Sequence, residues 1–198
     1  FKNEIHPIFI SSGKEKIEIK TDEEPGKARF DKIPSLKPVF DPQGSITAAN
    51  ASKINDGAAA LVLCSEEEVK KLGVKPLARI VSYATHSHAP EWFTTAPVSA
   101  MEKAISQAGI KVGDVDLFEI NEAFAVVTMV AMSKLALAPD RINIHGGAVA
   151  LGHPIGASGA RILTTLIHAL HLRKARYGVA SLCNGGGEAT ALVVERYT

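Results

Sequence analysis

From Lys75 to Thr198, short apolar runs suited to strands alternate with longer helical stretches. That alternation restricts the possible folds more than any other feature of the chain. Leu77 to Thr85 reads as a strand, Ser99 to Ala108 as a helix closed by Gly109, and Leu117 to Ile120 as a short buried strand. Ala123 to Leu137 is apolar on nearly every face, with Ser133 and Lys134 the first clear polar interruption, which predicts a helix buried between layers. Ile142 to Ile144 adds a short apolar element, Ile155 to Leu172 a long helix, and Gly178 to Leu182 and Thr190 to Glu195 two closing strands. Helices interleaved with strands imply a layered α/β fold.

Upstream the pattern changes. Residues 1–53 are charged and proline-punctuated, with Asp22 to Gly26 reading as a turn and Glu15 to Thr21 as an alternating strand. They hold too few apolar residues for a core of their own. Ala58 to Cys64 is a run of small and β-branched residues suited to a buried strand, and Ser65, followed by Glu66, Glu67 and Glu68, is a helix N-cap. Gly73 is placed to close that helix.

Composition excludes several classes. A formal net charge of +1 gives no reason to expect nucleic acid or an anionic membrane as a partner. The cluster Arg173-Lys174-Ala175-Arg176 reads as a solvated helix end, where cations complement the dipole. No apolar run reaches the roughly 18 residues of a membrane span. Two cysteines, Cys64 and Cys183, cannot make a disulfide framework, so a reducing, cytoplasmic setting is expected, or a mitochondrial one in a eukaryote. His86 with His88, and His168 with His171, have metal-compatible spacings but no third ligand nearby, so no metal site is expected.

Chemistry concentrates in two glycine-rich turns, Gly146 to Arg161 and Leu182 to Ala189, which present His153 and Cys183. An imidazole titrating near neutrality and a thiol that is strongly nucleophilic once ionised can move a carbon-bound proton or form a thioester. Glycine lets backbone N–H groups approach a reacting carbonyl, where they stabilise an oxyanion. Taken alone, Cys183 reads as an inert core residue, and Asn121 as the N-cap of the following helix.

Four blocks in order, SITAANASKINDGAAALVL (Ser45 to Leu63), NEAFA (Asn121 to Ala125), GGAVALGHPIGASGAR (Gly146 to Arg161) and CNGGGEATALVVE (Cys183 to Glu195), resemble the signature set of the thiolases, in the acetyl-CoA C-acetyltransferase branch. The resemblance implies the C-terminal half of a thiolase-like layered fold, a sheet covered by helices on both faces. It assigns residues 1–53 to the end of the loop domain that covers coenzyme A, 54–74 to a strand and helix of the N-terminal domain, and 75–198 to the C-terminal domain.

Residue roles follow from the same resemblance. His153 is expected to activate a nucleophilic cysteine lying in the N-terminal half and to help bind a thioester oxygen. Cys183 is expected to take the α-proton of acetyl-CoA, the backbone N–H of Gly185 to contribute to an oxyanion hole, and Asn121 to hold a water that forms another with His153. Ser52 matches a serine touching the pantetheine arm, while Phe93 and Phe124 are expected beside the substrate, Phe93 standing where some acetyl-specific relatives have methionine. Lys27 follows the Asp-Glu-x-Pro turn near the place of an arginine that contacts the nucleotide end of coenzyme A. No resident cofactor is implied, since coenzyme A is substrate and product; the Ala-Ala-Asn-Ala-Ser wording is shared with potassium-activated relatives, which suggests a potassium ion.

The implied reaction is the Claisen condensation of two acetyl-CoA molecules to acetoacetyl-CoA plus CoA, or the reverse thiolysis. Implied partners are the N-terminal half, as a separate chain or cleaved segment, and further copies in a dimer or tetramer. The chain alone is expected to be inactive. Two alternatives stay open: a catalytically silent CoA-binding or scaffolding fragment, and a longer-chain 3-ketoacyl-CoA thiolase.

Overall fold

The computed structural model describes residues 1–13 and 15–198. The chain opens with an antiparallel hairpin, β1 (Ile8–Ser12) and β2 (Glu15–Ile19), in which Ile8 faces Ile19. Gly13, at φ +64°, supplies the left-handed residue such a tight connection needs. Short 3-10 turns follow at Pro25–Lys27 and Phe30–Ser35. Phe9, Phe30 and Phe40 are all exposed, as a stretch without a core of its own requires. One tie back to the body is Glu24, whose carboxylate accepts from both Lys27 and Lys53.

Ala58 to Cys64 does not form the buried strand expected of it. The segment pairs with no other strand among the described residues, and Val62 is 96% exposed. A β-branched run becomes a strand only where a neighbour takes its backbone hydrogen bonds, and none does so here. The next element is legible: α1 (Glu66–Leu72) starts where the Ser65 hydroxyl accepts from the Glu68 N–H at 3.2 Å and stops at Gly73 in the left-handed region.

The remaining elements are β3 (Ala78–Ser87), α2 (Ala96–Gln107), β4 (Leu117–Ile120), α3 (Ala125–Leu135), α4 (Ala148–Leu151), α5 (Ser158–Arg173), β5 (Tyr177–Cys183) and β6 (Glu188–Arg196). Four strands form one mixed sheet in the order β3-β6-β5-β4, with β4 and β5 parallel and the other pairs antiparallel. Alternation along β4 separates the two faces. Phe118 and Ile120 join Met101, Ala104 and Ile105 of α2, whereas Leu117 joins Ile162, Leu166 and Leu170 of α5. The sheet is therefore covered by a helix on each face. α5 comes so close that a Cβ on Gly178 would lie 2.8 Å from a Leu166 methyl and would force that side chain to shift.

Three expectations need correction. α3 is not enclosed between layers: Val127, Thr128 and Ala131 are buried, but Met129 is 59% exposed. α2 and the Pro90–Thr95 turn pack against it, and residues 50–52 lie along its start. Ile142 to Ile144 gives only a single bridge, Ile142 with Phe118, because Asn143 turns to φ +44°. Its side-chain amide instead accepts from the Ile120 N–H at 2.8 Å and donates to the Ile120 carbonyl at 2.9 Å, completing the edge of β4 as a neighbouring strand would. Both long helices also start elsewhere than expected, α2 earlier at Ala96 with Pro97 in its first turn, and α5 later at Ser158 after a turn from Pro154.

No described helix is long and apolar enough to cross a membrane.

Candidate active site

Because β4 and β5 run parallel, their carboxyl ends open on the same edge of the sheet, where α/β proteins form ligand crevices. Ile120 pairs with Ser181 at the end of β4, and the Asn121 N–H donates to the Ser181 carbonyl at 2.8 Å. β5 continues two residues to Cys183. The sheet thus delivers Asn121 and Cys183 to one edge.

Asn121 is fully buried and is not the N-cap of α3, a position taken by Phe124. Released from capping, its side chain turns to His153, with Asn121 Nδ2 3.2 Å from His153 Nε2. The Asn121 Oδ1 has no hydrogen-bond partner. A buried carbonyl oxygen left open in this way is a ready acceptor for a water.

His153 reaches this point through α4. The Glu122 carboxylate accepts from the Val149 N–H at 3.1 Å, holding the start of α4 against the end of β4. Gly152, at φ +95°, then turns the chain where the Asn55 side chain leaves no room for a Cβ. The His153 N–H donates to the Lys53 carbonyl at 2.7 Å, so the 53–55 segment clamps the histidine backbone. On the ring, Nδ1 lies 2.6 Å from the Oγ of Ser158, which is fully buried.

The second turn is rigid by its own contacts. The Asn184 Oδ1 accepts from the Gly186 N–H at 2.8 Å and its Nδ2 donates to Glu188 at 2.7 Å, leaving Gly185 exposed at the tip. A Cβ on Gly187 would overlap the His88 carbonyl, and the His88 N–H donates to the Gly187 carbonyl at 3.0 Å. The turn is thereby fixed to the loop that carries Phe93.

Phe124 is the meeting point of the expected substrate residues. Its ring lies 6.0 Å from Phe40 and 6.1 Å from Phe93, both edge-on. The Ser52 N–H donates to the Ala123 carbonyl at 2.9 Å, laying the 50–52 loop along the start of α3. Phe93, Phe124 and Cys183 all belong to one apolar cluster. Lys27, by contrast, is held by Glu23 and Glu24.

Burial sets the electrostatics. The Cys183 thiol is pushed up to about 11 by desolvation, so it rests protonated. Burial, and then the nearby Arg161 guanidinium, lower the His153 pKa and favour the neutral ring that can accept a proton. Glu119, beneath Asn121 on β4, is raised to about 8 by burial despite Arg161. Glu119 Oε2 and two Arg161 nitrogens have no hydrogen-bond partner.

A cavity of about 730 Å³ lies between the hairpin, residues 55–60 and α5, lined by Glu4, Asn55, Gly152 and Arg161. His153, Asn121 and Cys183 do not line it. Among the described residues, no group of three or more His, Cys, Asp or Glu side chains is gathered to hold a metal ion. Two contributors escaped the sequence reading. Glu122 carries no signal beyond that of an acid near a helix start, and Ser158, five residues after His153, lies inside the helix expected over Ile155 to Leu172.

The family model described as thiolase, C-terminal domain, matches residues 74–196, and the thiolase N-terminal domain model matches residues 1–67. The chain belongs to the thiolase family. Among thiolases it is 53% identical over 197 residues to a probable acetyl-CoA acetyltransferase of Dictyostelium discoideum, covering 99% of this chain and 48% of that protein. The crystal structure of the Bacillus anthracis acetyl-CoA acetyltransferase superposes with a TM-score of 0.94 at 43% identity, over 99% of this chain and 50% of that one. Acat5 thiolase of Ascaris suum, solved in complex with coenzyme A, gives 0.87 at 49% identity, over 90% and 47%. The chain spans about half the length of the thiolases it matches. Relatives named as cytosolic and as mitochondrial both occur.

Proposed function

We propose that this chain carries the proton-transfer and oxyanion-binding half of an acetyl-CoA C-acetyltransferase. It would condense two acetyl-CoA molecules to acetoacetyl-CoA and CoA, or run the thiolysis. The observation that carries the reading is the 3.2 Å approach of Asn121 to His153 on the sheet edge to which β5 brings Cys183.

In the acylation, a cysteine of the N-terminal half passes its S–H proton to His153 Nε2 and attacks the thioester carbon of a first acetyl-CoA; the C–S bond to CoA breaks, and the departing thiolate takes the Cys183 proton and leaves as CoA–SH. Cys183, as thiolate, takes a proton from the methyl carbon of acetyl-CoA, and the enolate electrons attack the bound acyl carbon. The C–S bond to the nucleophilic cysteine then breaks, that sulfur takes back the proton held on His153, Cys183 keeps the proton drawn from carbon, and acetoacetyl-CoA leaves. Asn121, through a water, and His153 stabilise the enolate oxygen, and the Gly185 N–H stabilises that of the tetrahedral intermediate. A thiol with a pKa of about 11 is a strong base once ionised, which suits abstraction from carbon, and the cost of ionising it falls on the enclosed complex.

Ser52 would meet the pantetheine arm, and Phe93 and Phe124 would wall the acyl group. The partner we propose is the N-terminal half of a thiolase, with the joined enzyme forming a homodimer or tetramer in the cytoplasm or mitochondrion. A potassium ion at the Ala48 and Ala49 carbonyls is a further proposal. It rests on the Ala48-Ala49-Asn50-Ala51-Ser52 sequence, and replacing potassium by sodium should lower activity. The main test assays acetoacetyl-CoA thiolysis with the purified chain and again with an added N-terminal half. Turnover should appear only in the mixture; robust turnover by the chain alone would contradict the reading.

A further inference from the structure

His153 is held at both ring nitrogens. Nε2 faces the Asn121 amide at 3.2 Å, and Nδ1 faces the Ser158 hydroxyl at 2.6 Å. That hydroxyl also lies 3.1 Å from the Pro154 carbonyl, to which it donates. A hydroxyl has one proton, so having given it to Pro154 it meets the imidazole as an acceptor. Nδ1 then carries the ring proton. The donors and acceptors agree along the whole chain of contacts: Asn121 N–H to Nε2, Nδ1–H to Ser158 Oγ, and Ser158 O–H to the Pro154 carbonyl.

We propose that Ser158 is a positioning residue whose hydroxyl fixes His153 in the Nδ1–H tautomer and so keeps the Nε2 lone pair turned into the site. It rests on the reading of His153 as the base of the reaction. Ser158 suits the task because it is fully buried at the first position of α5, where the turn from Pro154 sets its backbone: the Ser158 N–H donates to the Pro154 carbonyl at 2.9 Å. A free imidazole side chain favours the opposite tautomer, with the proton on Nε2, which could not accept a proton from a thiol. When Nε2 accepts one, the Asn121 N–H gives up that lone pair, the thiol S–H breaks, an N–H forms and a thiolate is left. Ser158 still accepts from Nδ1 in the imidazolium, so nothing on that side has to rearrange.

A hydroxyl also differs from the carboxylate of a serine-protease triad. It orients the ring without adding a negative charge that would stabilise the imidazolium. Arg161 lies one helical turn beyond Ser158 on α5, and its charge disfavours a resting imidazolium further.

The test is histidine-selective 15N NMR of the full chain, with His153 assigned from a His153→Gln variant. At about pH 8.5, well above an ordinary histidine pKa of ~6.5, wild-type His153 should show a protonated Nδ1 and an unprotonated Nε2. Ser158→Ala should shift the population toward Nε2–H, and Ser158→Thr, which keeps the hydroxyl, should restore it. An Nε2–H form in the wild type, or a tautomer unchanged in Ser158→Ala, would overturn the proposal. Should Ser158→Ala fail to fold, the wild-type spectrum and the Thr variant decide alone. None of these readings needs turnover, so an Nδ1–H ring in a chain that stays inactive with its partner would sink the proposed function and leave this one standing. In the reconstituted enzyme, Ser158→Ala should lower kcat about tenfold or more with little change in KM.

Discussion

Asn121 and His153 stand 32 positions apart in sequence, yet the amide nitrogen of one lies 3.2 Å from the imidazole nitrogen of the other. Two independent backbone anchors produce this meeting, Asn121 to Ser181 on the sheet and His153 to Lys53 on the clamping loop. Asn121→Ala should therefore leave the fold intact and release the water through which Asn121 stabilises the oxyanion. Condensation by the reconstituted enzyme should fall about 100- to 1,000-fold, measured as kcat. A fall of less than about twofold would deny Asn121 its role.

Glu119 should make stability depend on pH. Burial raises its folded pKa to about 8, above the 4.5 of an exposed glutamate. The folded state therefore keeps a proton that the unfolded chain has lost between those values. This stabilising contribution is full below the lower value and is lost as pH rises through the upper one. Across that window stability should fall by up to about 1.4 kcal/mol per pH unit, read from urea midpoints. Glu119→Gln, neutral throughout, should flatten the slope; an unchanged slope would show that other groups cause it.

Asn143 substitutes for a strand at the edge of β4. Asn143→Ala should leave the Ile120 N–H and carbonyl without partners and also strain a residue at φ +44°. The expected cost is about 2–4 kcal/mol, measured by chemical denaturation. Asn143→Gly, which relieves only the backbone strain, should recover a minor part of it.

The sheet and its two covering helices were legible because their apolar periodicity answers to partners inside the chain. α1 was legible because Ser65 and Gly73 act locally. Ala58 to Cys64 and α3 misled for one shared reason: apolar residues such as Val62 and Met129 stand largely exposed. Asn143 hid a side-chain amide acting as a backbone neighbour, which no periodicity reveals. At the site, His153 and Cys183 stood out by their glycine turns. Ser158 and Glu122 did not, because a buried serine in a helix and an acid near a helix start are ordinary until the hydrogen bonds are seen.

Cys183 is the residue on which the proposed chemistry turns. In the reconstituted enzyme, wild type should wash deuterium from the methyl group of deuterated acetyl-CoA into solvent. Cys183→Ala should lose that exchange while the cysteine of the N-terminal half still becomes acylated. The most direct measurement is this exchange, followed by mass spectrometry together with the position of the acyl label. Exchange undiminished in Cys183→Ala, or an acyl group found stably on Cys183 in the wild type, would contradict its assignment as the base.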